Sequence, residues 1–194
     1  MAMETDISAQ KKALRRELLG VLKAIPKTGR LASDAAIRRQ VEFLPQFRQA
    51  GRLFIFVGDG WEVDTRPLIE AALSAGRQVA VPRCLPGGVM HVCQINGCGD
   101  LRQVPPLGLW EPSDSARLLL PEEIDLALIP CVACDREGRR LGRGGGYYDR
   151  FLLSVKFIKA ALCREALLQG ALPEEDHDVK MDIIITERQS LWRI

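Results

Sequence analysis

No stretch of this 194-residue chain is apolar for long enough to cross a bilayer, and neither sign of charge is in excess. The formal net charge of +2 gives no global reason to expect nucleic acid or an anionic membrane as a partner. Glu4 and Asp6 stand near the N-terminus with no apolar run behind them, so a signal peptide is not expected and a cytoplasmic location is. Internal repeats, low-complexity segments and any obvious domain boundary are lacking, so one domain over residues 1–194 is expected. Cysteine is plentiful at six: Cys84, Cys93, Cys98, Cys131, Cys134 and Cys163. Without an export signal they are not expected to build a disulfide framework. Cys131-Val132-Ala133-Cys134 has the spacing of half a zinc site or a redox pair, but a second CxxC is missing. A thioredoxin-type pair starts a helix, whereas this one follows a strand-like run and precedes a polar turn. Buried free thiols are the expectation.

What is present suits a soluble globular protein with a sizeable core: 47% hydrophobic and 27% charged residues. Ile7–Ile25 reads as a helix, with Ser8 as N-cap, Leu14, Leu18, Leu22 and Ile25 at helical spacing, and Pro26 and Gly29 as its end. A second helix, capped by Ser33 or Asp34 and running to about Gln49, would bury Ile37, Val41 and Leu44 and be kinked or split by Pro45. A third covers Asp64–Ala75, with Thr65 near its start and Gly76 closing it. Strands are expected at Arg52–Val57, Gln78–Val81, Val89–Ile95, Ile124–Ile129, Phe157–Leu162 and Asp182–Thr186. Gly97–Pro112, rich in glycine and proline, reads as a connecting loop, and Tyr147–Val155 as a short helix. Ile124–Ile129 is nearly all apolar, as a parallel strand buried on both faces should be. Helices alternating with such strands predict a three-layer α/β domain.

The most informative stretch is Arg140-Leu141-Gly142-Arg143-Gly144-Gly145-Gly146-Tyr147-Tyr148-Asp149-Arg150. Three consecutive glycines lose much backbone freedom on folding. Bare N–H groups flanked by arginines suit a polyphosphate, and an aspartate just beyond suits its magnesium. The run is not a Walker A loop, because no Gly-Lys-Ser/Thr follows. It is not a dinucleotide fingerprint either, since Tyr147 stands in place of the last glycine. Two tyrosines at a loop–helix junction offer flat faces and hydroxyls to a ring-bearing ligand.

Pro130-Cys131-Val132-Ala133-Cys134-Asp135, Gly138 and the Arg140–Arg150 run resemble the signature of the 5-formyltetrahydrofolate cyclo-ligases, also called methenyltetrahydrofolate synthetases. The resemblance extends to Lys11-Lys12-Ala13-Leu14-Arg15, Glu62-Val63-Asp64-Thr65, Val81-Pro82-Arg83, Gly108-Leu109-Trp110-Glu111-Pro112 and His177-Asp178-Val179-Lys180-Met181-Asp182, in family order. It implies a Rossmann-like α/β/α fold of the CoA-transferase type with a mainly parallel sheet. It also implies ATP and 5-formyltetrahydrofolate as substrates, Mg2+ as cofactor, and a monomer or weak dimer with no nucleic-acid or membrane partner.

By the same resemblance, ATP meets Lys11, Arg15, Arg140, Leu141, Gly142, Arg143, Gly144, Gly145, Gly146, Tyr147, Tyr148 and Asp149. Catalysis is assigned to Arg143, Tyr148 and Asp149, the folate to Phe56, Glu62 and Tyr148, and the metal to Asp149 and Asp182. His177 and Asp178 are expected to be structural, and Trp61 and Trp110 are possible stackers. The chain departs from the family pattern at Cys131 and Cys134, at Cys84 where an aromatic residue is usual, and at Ala161-Leu162-Cys163.

Overall fold

The computed structural model describes residues 2–105 and 108–193. Three helices come first: α1 (Ala2–Ala24), α2 (Lys27–Phe43) and α3 (Pro45–Gln49). No glycine or proline precedes Ser8, so α1 starts well before it and Ser8 lies inside the helix rather than capping it. Pro26 is extended (φ −57°, ψ 152°) and separates α1 from α2. Gly29, Ser33 and Asp34 all lie within α2, so none of them ends or caps a helix. Pro45 splits the expected second helix: it forces Leu44 into an extended conformation (φ −67°, ψ 122°) and then opens α3.

There follow β1 (Arg52–Ile55), α4 (Arg66–Ser74), β2 (Gln78–Leu85), β3 (Val89–Ile95), β4 (Leu101–Val104), β5 (Leu109–Pro112) and β6 (Leu126–Pro130). The last third of the chain adds β7 (Ala133–Asp135), β8 (Arg140–Leu141), α5 (Tyr147–Leu152), β9 (Ile158–Leu162), β10 (Leu168–Gln169), β11 (Ile183–Ile185) and β12 (Ser190–Trp192). Residues 97–112, expected to be one long loop, contain the antiparallel pair β4–β5. Pro105 and Gly108 fall between the two strands, and Leu101–Val104 is left free to pair.

The main sheet has the order β12-β11-β9-β6-β1-β2-β3. The five inner strands run parallel, and β3 and β12 pair antiparallel at the two edges. Alternate residues of the parallel strands enter two separate cores. Leu53, Ile55, Val79, Leu126, Leu128 and Ile183 pack with residues of α2, α3 and α4. Phe54, Ala80, Ala127, Ile129, Ala161 and Ile184 pack on the other face with Leu18 and Leu22 of α1 and Leu152 of α5. Because both faces are covered, the central strands read as unbroken apolar runs. The arrangement is the expected three-layer α/β/α fold with a mainly parallel sheet. Ligands of such sheets sit beyond the carboxyl ends of the strands, where β1, β2 and β6 here deliver Phe56, Pro82 and Pro130. Among the described residues no helix is long and apolar enough to cross a membrane.

Candidate active site

Beyond the ends of β1, β2 and β6 lies a cleft of ≈ 330 Å³, lined by Phe56, Glu62, Cys84, Trp110, Tyr148 and the glycine loop among others. One wall is the turn after β1. A Cβ on Gly58 would stand 2.5 Å from the carbonyl oxygen of Val63, so only glycine lets the turn close. Asp59 Oδ1 accepts the N–H groups of Trp61 (2.9 Å) and Glu62 (3.1 Å), which folds the turn inward. Thr65 Oγ1 donates to the carbonyl of Phe56, tying the turn back to the strand. The Glu62 side chain is thereby held in the cleft wall.

The glycine loop separates this cleft from a second cavity of ≈ 370 Å³. Lys11, Lys12 and Arg15 from α1 line the far side, with Glu175, His177 and Asp178. Arg140, Gly142, Arg143, Gly144, Gly146 and Asp149 line both spaces. Arg15 Nε donates to the carbonyl of Gly142 at 2.7 Å and so braces the loop from below. Gly144 has φ +95°, a conformation that strains any residue with a Cβ. No acceptor among the described residues takes the backbone N–H of Arg143, Gly144, Gly145 or Gly146. The loop thus offers a row of unclaimed donors to an anion.

Three charged groups of the loop behave differently from one another. Arg140 is buried under it, its side chain only 3% exposed. Its Nη1 donates to the carbonyl of Pro130 (3.1 Å), its Nη2 to Asp149 Oδ1 (2.6 Å), and its guanidinium lies 5.5 Å from the centre of the Tyr148 ring. The sequence assigns Arg140 to ATP; the fold makes it the pin that orients Asp149. Arg143 is half exposed and reaches across the cleft wall, with Nη2 2.8 Å from Asp59 Oδ2 and Nε 3.1 Å from Glu62 Oε1. The second oxygen of Asp149 has no hydrogen-bond partner among the described residues. Mg2+ is held by one or two carboxylates and completes its shell with phosphate oxygens and water. A single carboxylate with a free oxygen beside the glycine loop fits that demand.

Asp182 is not brought to Asp149. It precedes β11, and parallel pairing puts it at the amino end of the sheet, where it accepts the Lys159 N–H (2.8 Å) and pairs with Lys159 Nζ (2.9 Å). Its closeness in sequence to the His177-Asp178 segment conceals that it lies on the opposite edge from the cleft. His177 and Asp178, expected to be structural, line the second cavity. Lys11 Nζ pairs there with Glu175 Oε2 (2.7 Å) and with Asp178 Oδ2. Burial alone would lower the Lys11 ammonium, but the two carboxylates outweigh it and hold its pKa above the ordinary value.

Burial also sets the charge state of groups in the first cleft. It pushes the Glu62 carboxyl up from 4.5, against the opposing pull of Arg143 and with a further push from Asp59. It raises the Tyr148 phenol well above its usual range, helped by the charges of Glu62 and Cys84. The Cys84 thiol is pushed up to about 12 by burial and by Glu111, which accepts the Cys84 backbone N–H at 3.0 Å. Cys84 is therefore a neutral wall residue. Asp59 and Glu111 are the site residues that sequence reasoning missed. Asp59 stands in a Gly58-Asp59-Gly60 run that matches no motif, and Glu111 is only one letter of a matched segment.

Residues 7–187 match the model of the 5-formyltetrahydrofolate cyclo-ligase family. The chain is 31% identical over 147 residues to the 5-formyltetrahydrofolate cyclo-ligase of Escherichia coli K12, covering 73% of this chain and 81% of that one. It is 26% identical over 193 residues to the mouse (Mus musculus) 5-formyltetrahydrofolate cyclo-ligase, covering 93% and 95%. The solution structure of the Aquifex aeolicus 5,10-methenyltetrahydrofolate synthetase superposes with a TM-score of 0.84 at 27% identity, covering 94% of this chain and 92% of that one. With the glycine loop, the paired cavities and these matches in agreement, the chain belongs to the 5-formyltetrahydrofolate cyclo-ligase family.

Proposed function

We propose that this chain couples ATP hydrolysis to closure of 5-formyltetrahydrofolate into 5,10-methenyltetrahydrofolate, releasing ADP and phosphate. The observation that carries the reading is one loop walling two adjacent cavities. One is mostly apolar with an aromatic floor and a buried carboxylate; the other is edged by basic side chains and bare N–H groups. A pterin fits the first and a triphosphate the second, and their reacting ends would meet at the shared wall.

The formyl oxygen attacks the γ-phosphorus, and the bond to the leaving ADP oxygen breaks. N10 then attacks the formyl carbon, loses its proton, and phosphate departs with the electrons of the C–O bond. Such chemistry needs alignment and charge neutralisation more than covalent help. Arg143 and the loop N–H groups receive the phosphates, with Lys11 and Arg15 behind them. Arg140 acts through Asp149 by fixing its carboxylate. Mg2+, when bound at Asp149, neutralises phosphate charge and keeps the γ-phosphorus open to attack. Phe56 and Tyr148 wall the pterin, and Glu62 accepts two hydrogen bonds from its amide-like edge. The setting we assign is cytoplasmic, as a monomer or weak dimer. The test is the near-ultraviolet absorbance of the methenyl product: it rises only with ATP and Mg2+ present, and a clean, folded preparation showing no ATP-dependent rise would overturn the reading.

A further inference from the structure

Three of the residues by which this chain departs from its family pattern end up in one place. Strands β6 and β9 pair in register, Pro130 opposite Leu162, so Cys131 and Cys163 leave the sheet side by side. The chain then turns back, with the Val132 N–H donating to the Leu141 carbonyl at 2.7 Å, and β7 brings in Cys134. The three sulfurs lie within 4.8 Å of one another. Cys134 and Cys163 are buried, and Cys131 is half-buried and lines the cleft. No disulfide joins them.

We propose that Cys131, Cys134 and Cys163 form a three-thiolate site for a thiophilic d10 divalent cation, of which Zn2+ is the common example. Thiolate donors select such ions over the hard Mg2+ of phosphate chemistry. A Zn–S bond of about 2.3 Å sets sulfur–sulfur separations of about 3.8 Å in a tetrahedron. Sulfurs already within 4.8 Å reach that spacing by small side-chain rotations. No fourth histidine, cysteine or carboxylate among the described residues shares the same spacing. Three protein ligands leave the fourth position to water, as in other sites of that kind, and the cleft that Cys131 lines is the nearest source of it. Binding would replace weak thiol contacts, from Cys131 Sγ to the Leu162 carbonyl (3.2 Å) and from Cys163 Sγ to the Arg164 carbonyl (3.5 Å), with metal–sulfur bonds. Contacts among the thiols and burial hold all three pKa values well above the ordinary thiol range, with the Arg140 charge only partly opposing this at Cys131 and Cys134, so binding has to displace the thiol protons.

The test does not rest on the folate reading. The reduced, chelator-treated full chain is titrated without oxygen with Cd2+, whose thiolate charge-transfer absorption reports sulfur ligation. Saturation at one ion per chain is expected, with loss of that stoichiometric band in Cys163→Ala and no change in Cys98→Ser. Zn2+ should compete the band away, and bound ion should protect the three thiols from iodoacetamide, read by peptide mass. Should Cys163→Ala fail to fold, the half-buried Cys131→Ser replaces it with the same expected loss. No band, a band unchanged in both variants, or alkylation of the three thiols at saturating Cd2+ would each overturn the proposal, as would conversion of the cluster to a disulfide with no metal retained.

Discussion

Arg140→Met separates the role that the sequence implies for Arg140 from the one the fold gives it. The substitution keeps much of the side chain's volume and removes its charge. It strands Asp149, now without the Nη2 donor at 2.6 Å, and the Pro130 carbonyl, without the donor at 3.1 Å. Removing one partner of a fully buried ion pair costs about 3–5 kcal/mol. Asp149 is one-quarter exposed, so solvent recovers part of that. The lost bond to Pro130 adds about 1 kcal/mol. In the other direction, Arg140 Nε has no hydrogen-bond partner, and removing a buried orphan donor returns about 1–3 kcal/mol. The balance is a destabilisation of about 2–3 kcal/mol, or a fall in Tm of about 5–10 °C for a chain of this size. Urea unfolding at unchanged m gives the free energy directly. Because Arg140 acts through Asp149, kcat should fall while the KM for ATP changes little. A variant of near-native stability whose KM for ATP rises sharply would refute the structural assignment and restore Arg140 to the phosphates.

Asp149→Asn keeps the acceptor for Arg140 but not the charge, so it should lower kcat by about 100-fold or more and leave the folate KM within about twofold; steady-state kinetics at saturating Mg2+ check this. Glu62 must be ionised to accept the pterin's hydrogen bonds, and burial raises its pKa above 4.5. Folate affinity should therefore strengthen with rising pH, with an inflection above that of an ordinary glutamate, and Glu62→Gln should bind weakly and without that inflection in fluorescence titrations. Gly144→Ala forces a side chain to φ +95°, with its Cβ 3.3 Å from the Arg15 guanidinium. The strain is about 1–2 kcal/mol and localised in the loop, so the KM for ATP should rise more than Tm falls. On the proposed assignment, ATP would withdraw Arg143 from Glu62, and folate would satisfy the carboxylate so exposed. A non-hydrolysable ATP analogue should therefore tighten folate binding, and folate should tighten the analogue by the same factor in calorimetry.

The layers of the fold were legible because the signal was local. Apolar strands buried on both faces, a proline that splits a helix and Thr65 before α4 all act within a few residues of where they stand. What escaped was set by partners distant in the chain. Strands β8 and β10 have two residues each, too few to show a period, and they exist because β7 lies between them. The extension of β2 through Pro82 to Leu85 depends on the whole length of β3 lying antiparallel beside it. The β4–β5 hairpin was hidden because its turn residues dominate the composition of the segment.

The site was legible as a set of residues and illegible as a set of pairings, and the pairings decide the chemistry. The resemblance implies a phosphate ligand in Arg143 and a pterin ligand in Glu62, and gives Asp59 no role. In the fold they form one ion cluster across the boundary of two cavities. That cluster solves a problem a motif cannot display. A buried carboxylate awaiting a neutral pterin is costly while it stands alone, and a half-exposed arginine awaiting a phosphate is poorly ordered. Pairing them satisfies both until the substrates arrive. On the proposed assignment each substrate would remove one partner and leave the other in need of its own ligand, which would link the two binding events. Asp182 shows the converse: the resemblance implied a metal ligand, and parallel pairing of β11 with β9 puts it at the amino end of the sheet, away from the cleft.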